Sequence, residues 1–251
     1  MPTPFMHLEM AENVQASPLL PRDIKQCLEE HFPAFYLGSV APDVQSVADI
    51  RREDTHFYLL PPAPEDLGYQ KMLEQYPEIA SGSALSAGQA VFIAGYCAHL
   101  MLDLRWYHDV LMPFFVEQEN WTSLREAFIA HNTLLTYLDK SAVAVLPVDA
   151  GDTLASARPD RWIPFASDDD LVKWRDQLVE QLRPGALLMT VEVYAKRLGI
   201  SPDEFAANLD KQSWMDEHLF NKVPVDKVLG IMHSAIDESI AIINGYLSKP
   251  G

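Results

Sequence analysis

One stretch constrains the fold of this chain more than any other: "SAGQAVFIAGYCAHLMLDLRWYHDVL", residues 86–111. Ser86 with Gln89 three residues on forms a capping box, which marks a helix start. The run behind it is apolar on nearly every side, and such a helix has to be wrapped by other elements. Yet it carries His99, Asp103 and His108. His99 and Asp103 are four apart, so they sit one above the other on the same face. Gly95 lies one turn before His99, where a missing side chain makes room, and Trp106 follows one turn after Asp103. Taken alone, such a pair has a bland reading: an imidazole and a carboxylate satisfying each other inside the core.

The remaining segments carry helical signals as well. "HLEMAENVQAS" is patterned as a helix and stops at Ser17-Pro18, and "PRDIKQCLEEHF" is a short helix closing before Pro33. "WTSLREAFIAHNTLLTYLDKSAVAVL" is a further helix, followed by a connection at 147–166. "SDDDLVKWRDQLVEQL" puts Asp168, Asp169 and Asp170 in a first turn, where they complement the helix dipole. "SPDEFAANLDKQ" has Ser201 as cap with Pro202 and Glu204 behind it, and "DKVLGIMHSAIDESIAIINGYL" is the last strong helix. Residues 33–66, rich in proline, aspartate and aromatics, are expected to be an irregular loop. No segment alternates with period two over more than a few residues. The expectation is a single all-α domain over 1–251, with 1–145 carrying the site and 167–251 an additional helical region.

Charge narrows the function. The chain has 19 basic and 36 acidic residues, a net of −17, which argues against a broad nucleic-acid surface and against docking on anionic lipid. With two cysteines, Cys27 and Cys97, it does not read as a disulfide-stapled secreted chain. The start, "MPTPFMHLEMAENV", lacks the basic and apolar regions of a signal peptide, and the longest apolar run is broken by His99 and Asp103. The expectation is a soluble, cytoplasmic protein with no transmembrane segment.

A second cluster lies in 33–66. "FYLGSVAPDV" ends in Asp43 behind a proline, and "EDTHFYLL" supplies His56 thirteen residues later. Carboxylate oxygens and imidazole nitrogens are ligands that a borderline divalent ion such as zinc accepts. A loop held by prolines can aim them at the face bearing His99 and Asp103. His7, in an otherwise apolar segment, is a further contributor. The other histidines have bland readings: His31 ends an acidic helix, and His218 and His233 have no partners at ligand spacing.

Together, "GSVAPD", "THF" and "GYCAHLMLD" resemble the zinc-dependent phospholipase C family and its relatives among single-strand-specific nucleases. The resemblance covers roughly residues 1–140. It implies an all-helical fold of the phospholipase C type with extra C-terminal helices, a centre of up to three zinc ions, of which two are expected in this chain, and hydrolysis of a small-molecule or lipid phosphoester by a metal-activated water. The implied ligands are His7, Asp43, His56, His99 and Asp103, with Asp103 bridging and Asp43 also available as the base near the attacking water. His108 and His131 are the implied histidines for another ion. Tyr58, Trp106 and Tyr107 are aromatics placed to line a substrate pocket.

The chain departs from the family pattern twice. It has no tryptophan near its start to bring an amine and a carbonyl to the metal. Four residues after His131, where the family supplies a glutamate, stands Leu135, which cannot ligate; Asp139 is one turn further on. Two other readings stay open. "YHD" (Tyr107 to Asp109) is how His-Asp domain phosphohydrolases begin, with His108 and Asp109 on one metal. Alternatively, the metal only stabilises a non-catalytic helical binding protein.

Overall fold

The computed structural model describes residues 1–119 and 121–248. Among these there are helices and no strand. The α-helices are α1 (Pro4–Ala16), α2 (Arg22–Glu30), α3 (Phe32–Val40), α4 (Arg52–His56), α5 (Gly68–Gln75), α6 (Ala87–Arg105) and α7 (Leu124–Val145). They continue with α8 (Ala150–Ser156), α9 (Asp168–Gln181), α10 (Met189–Leu198), α11 (Pro202–Leu209), α12 (Gln212–Met215) and α13 (Val225–Leu247).

The start of α6 follows from its sequence, since the Ser86 hydroxyl accepts the Gln89 N–H at 3.3 Å. Its apolar surface is then buried all round, from Ala90 through Leu104. Each fully buried Leu, Phe or Met contributes about 1.5–3 kcal/mol, so α6 is the axis of the molecule. It continues as a π-helix over Trp106–Val116. Pro113 lies within that stretch, where it has no N–H to give to an α-helical ladder. By length and composition Ala87–Val116 could cross a membrane, but 83% of its most apolar window is buried within the protein. Other helices cover the surface that lipid would cover in a span.

Around α6 pack α3, α5 and α13, while α1 packs on α3, α7 and α13. One continuous core therefore runs from Phe5 to Tyr246. The C-terminal helices also support the stretch that carries Asp43. On α9 the Trp174 indole donates to Val40 O at 2.8 Å and Lys173 Nζ to Val47 O at 2.8 Å.

The region 33–66 corrects the loop expectation. Residues 32–40 form α3, in which every residue from Ala34 to Val40 is buried. Pro33 occupies the first turn, where its missing N–H costs nothing. Ala41–Ser46 is a 3₁₀ turn and Arg52–His56 one short helix. The helices α5, α8, α10 and α12 likewise lie outside the expected set.

Candidate metal centre

Two glycines set the centre. A Cβ on Gly38 of α3 would lie 2.0 Å from Phe92 O, and one on Gly95 of α6 would lie 2.6 Å from Phe35 O and 2.9 Å from Ser39 N. The backbones of α3 and α6 therefore touch directly. The room beside Gly95 is filled by α3, and this contact brings the Ser39 carbonyl to His99 Nδ1 at 2.9 Å. A carbonyl can only accept, so Nδ1 carries the proton and the lone pair of His99 lies on Nε2.

His56 is held by its neighbour: Thr55 Oγ1 lies 3.0 Å from His56 Nδ1, 3.1 Å from Arg52 O and 3.4 Å from Gln45 Oε1. Tyr96 of α6 donates to Thr55 O at 2.7 Å, tying α4 to the central helix. The Nε2 atom of His56 is 3.4 Å from Asp103 Oδ2 and 3.7 Å from Asp43 Oδ1. From α1, His7 stacks on His99 with ring centroids 3.6 Å apart, and its Nε2 is 3.6 Å from Asp103 Oδ1. His99 Nε2 is 4.0 Å from Asp103 Oδ2.

These distances suit a shared cation. Ligand atoms about 2.0–2.1 Å from a tetrahedral zinc stand roughly 3.3–3.4 Å from one another. Two sets of side chains are close enough to hold an ion: His7, His99 and Asp103, and Asp43, His56 and His99. The polar atoms agree, since both nitrogens of His7, Nε2 of His99 and Oδ1 of Asp103 are buried without a hydrogen-bond partner. Each such orphan costs about 1–3 kcal/mol, and one nitrogen of His7, one of His99 and one oxygen of Asp103 lie close enough together for a single cation to satisfy them. The donor set, imidazole and carboxylate, fits zinc.

Electrostatics prepares the same atoms. Burial pushes the His99 pKa well below the usual imidazole range, with neighbouring His7 adding to the effect against Asp103, so His99 is neutral. Burial alone would raise the Asp103 carboxyl, but its contacts with His56 and His7 outweigh that and hold it well below the usual carboxylate range. Asp103 thus offers a carboxylate and His99 a neutral imidazole, the protonation states that metal ligands need. His7, His56, His99 and Asp103 are almost completely enclosed, while the side chains of Asp43 and Arg52 are 22% and 24% exposed and form the opening.

Arg52 and Tyr58 belong to this cluster in a way the sequence reading did not foresee. Arg52 Nη2 donates to Asp103 Oδ2 at 3.0 Å and to the Tyr58 hydroxyl at 2.8 Å, and Tyr58 donates to the same carboxylate oxygen at 3.1 Å. Tyr58 is therefore a buried partner of Asp103. Arg52 had a legible signal, since it stands four residues before His56 on one helix.

Other expected site residues lie elsewhere. His108 lies on the π-helical stretch past Asp103 and joins neither metal-capable set, and its ring meets Tyr107 edge-on. Asp109 is engaged by Arg105 at 2.9 Å, so the His-Asp pair does not assemble a centre. Trp106 is fully buried, which removes it from a substrate pocket. Its indole N–H donates to His131 Nε2 at 3.0 Å and uses the lone pair that a metal would need. Leu135 is core, and Asp139 accepts hydrogen bonds from the Thr3 and Thr190 hydroxyls. The additional ion site that the resemblance implied around His131 is not assembled.

Fold and site together define an all-helical protein with a buried histidine–carboxylate cluster able to hold a metal ion. The sequence model of the zinc-dependent phospholipase C family matches residues 6–187, past the limit near 140 read from the motifs, and the chain belongs to that family. Comparison with curated proteins and with solved structures finds no significant match.

Proposed function

We propose that the protein is a zinc-dependent phosphoester hydrolase acting on a phosphodiester or a phospholipid headgroup, with His7, Asp43, His56, His99 and Asp103 as its ligand set. The observation that carries this reading is the convergence of unpartnered buried nitrogens and a carboxylate oxygen from α1 and α6 on one point. Zinc supplies a Lewis acid and a water acidic enough to react near neutral pH.

The chain's own groups do the rest. Ser39 O fixes the tautomer of His99, so that its Nε2 presents a lone pair, and Thr55 Oγ1 holds the ring of His56. Enclosure of the four inner ligands excludes bulk water and strengthens every charge interaction there. Asp43, at the opening, is the group placed to take a proton from the attacking water. Arg52, beside it, offers a cation to a phosphoryl oxygen. A net charge of −17 favours a small or zwitterionic phosphodiester over duplex DNA.

The test is hydrolysis of bis(p-nitrophenyl) phosphate, phosphatidylcholine vesicles and duplex DNA by zinc-loaded protein. The first two should be cleaved, with loss by more than about 100-fold on chelation or in Asp103→Ala, and zinc should restore only the wild type. Cleavage that survives both treatments, or equal rates on all three substrates, would contradict the proposal.

A further inference from the structure

We infer that the Arg52 guanidinium takes the place of a second ion on Asp103, so that the centre holds one zinc per chain. This rests on the zinc reading above and settles the stoichiometry that reading leaves open.

Three observations carry it. The two oxygens of Asp103 are treated differently: Oδ2 accepts from Arg52 at 3.0 Å and from Tyr58 at 3.1 Å, whereas Oδ1 has no hydrogen-bond partner and faces His7 Nε2 at 3.6 Å. A carboxylate with one oxygen already held by a cation is not set up to bridge two ions. Second, both metal-capable sets include His99. Its Nδ1 is occupied by the Ser39 carbonyl, so only Nε2 is free, and a second ion on Asp43 and His56 would have to draw on Asp103 Oδ2, the oxygen that Arg52 holds. Third, Arg52 is a fixed part of the centre. It shares the face of α4 with His56, its guanidinium lies 4.9 Å from the Tyr58 ring centroid, and its side chain is three-quarters covered.

Chelator-stripped wild type, Arg52→Lys and Arg52→Gln are equilibrated with excess zinc sulfate and desalted, and zinc per chain is measured by elemental analysis. Circular dichroism of each confirms the helical fold. The expected result is one zinc in the wild type and in Arg52→Lys, which keeps the charge, and two in Arg52→Gln. Two zinc ions in the wild type, or one in a folded Arg52→Gln, would overturn the role of Arg52 and leave the zinc reading standing. No zinc in any of the three would overturn both. The wild-type measurement decides the stoichiometry even if a variant does not fold.

Discussion

Asp103 on α6 and Asp139 on α7 are both buried carboxylates on long core helices, and their surroundings drive them in opposite directions. Asp103 is met by three histidines and an arginine and stays ionised. Among the described residues no cation pairs with Asp139, which meets only the hydroxyls of Thr3 and Thr190. Burial pushes its pKa up to about 6, with the two hydroxyls pulling the other way. What differs is the company each carboxylate keeps, since both are equally removed from water. One site is ready for a cation. The other is a proton-dependent clasp joining the N-terminal segment, α7 and α10.

The largest effect that would test this contrast is the pH dependence of stability. Because the folded pKa of Asp139 lies above its ordinary value of 3.8, the folded state binds that proton more tightly than the unfolded state. The associated stability is fully present below about pH 4 and is lost as pH rises through about 6, a change on the order of 3 kcal/mol. In Asp139→Asn that contribution should vanish. Urea denaturation of both proteins at pH 5 and 7.5 should show the wild type losing stability relative to the variant at the higher pH. Parallel pH profiles would mean that Asp139 does not carry the proton.

Gly95→Ala probes the other side. In an exposed helix this change gains about 1 kcal/mol, but here the new Cβ meets Phe35 O and Ser39 N. The expected outcome is a loss of about 1–3 kcal/mol, with zinc affinity falling roughly 10-fold or more as Ser39 O leaves His99. Calorimetric zinc titration separates the two effects, and a variant more stable than wild type would refute the close approach. The smallest effect is expected for Thr190→Val, which removes one of the two donors on Asp139. It should cost about 1–2 kcal/mol above pH 7 and less at pH 5. A uniform cost at both pH values would separate Thr190 from the titration.

The legible parts of the fold were those with local punctuation. Ser86 and Ser201 each accept from the N–H three residues on, as their capping patterns predicted, and Ser167 does the same at the start of α9. The helix α3 was hidden because "FPAFYLGSV" is buried all round and has no polar stripe to reveal a period. At the site, His99 and Asp103 share a helix turn, and the motifs carrying Asp43 and His56 lie close in sequence, so their grouping could be read from the chain. The bonds of Trp106 to His131, and of Thr3 and Thr190 to Asp139, join residues 25, 136 and 51 positions apart, and no local pattern announces them.

The contact between α3 and α6 has one more consequence. What fixes the proton on His99 is the main-chain carbonyl of residue 39, and every amino acid brings the same carbonyl. Replacing Ser39 by another small residue leaves that partner in place, so this part of the centre is sheltered from most point changes at the position that supplies it. Its exposure to mutation has moved to Gly38 and Gly95, two residues with no functional group, whose hydrogen atoms set the distance between the helices.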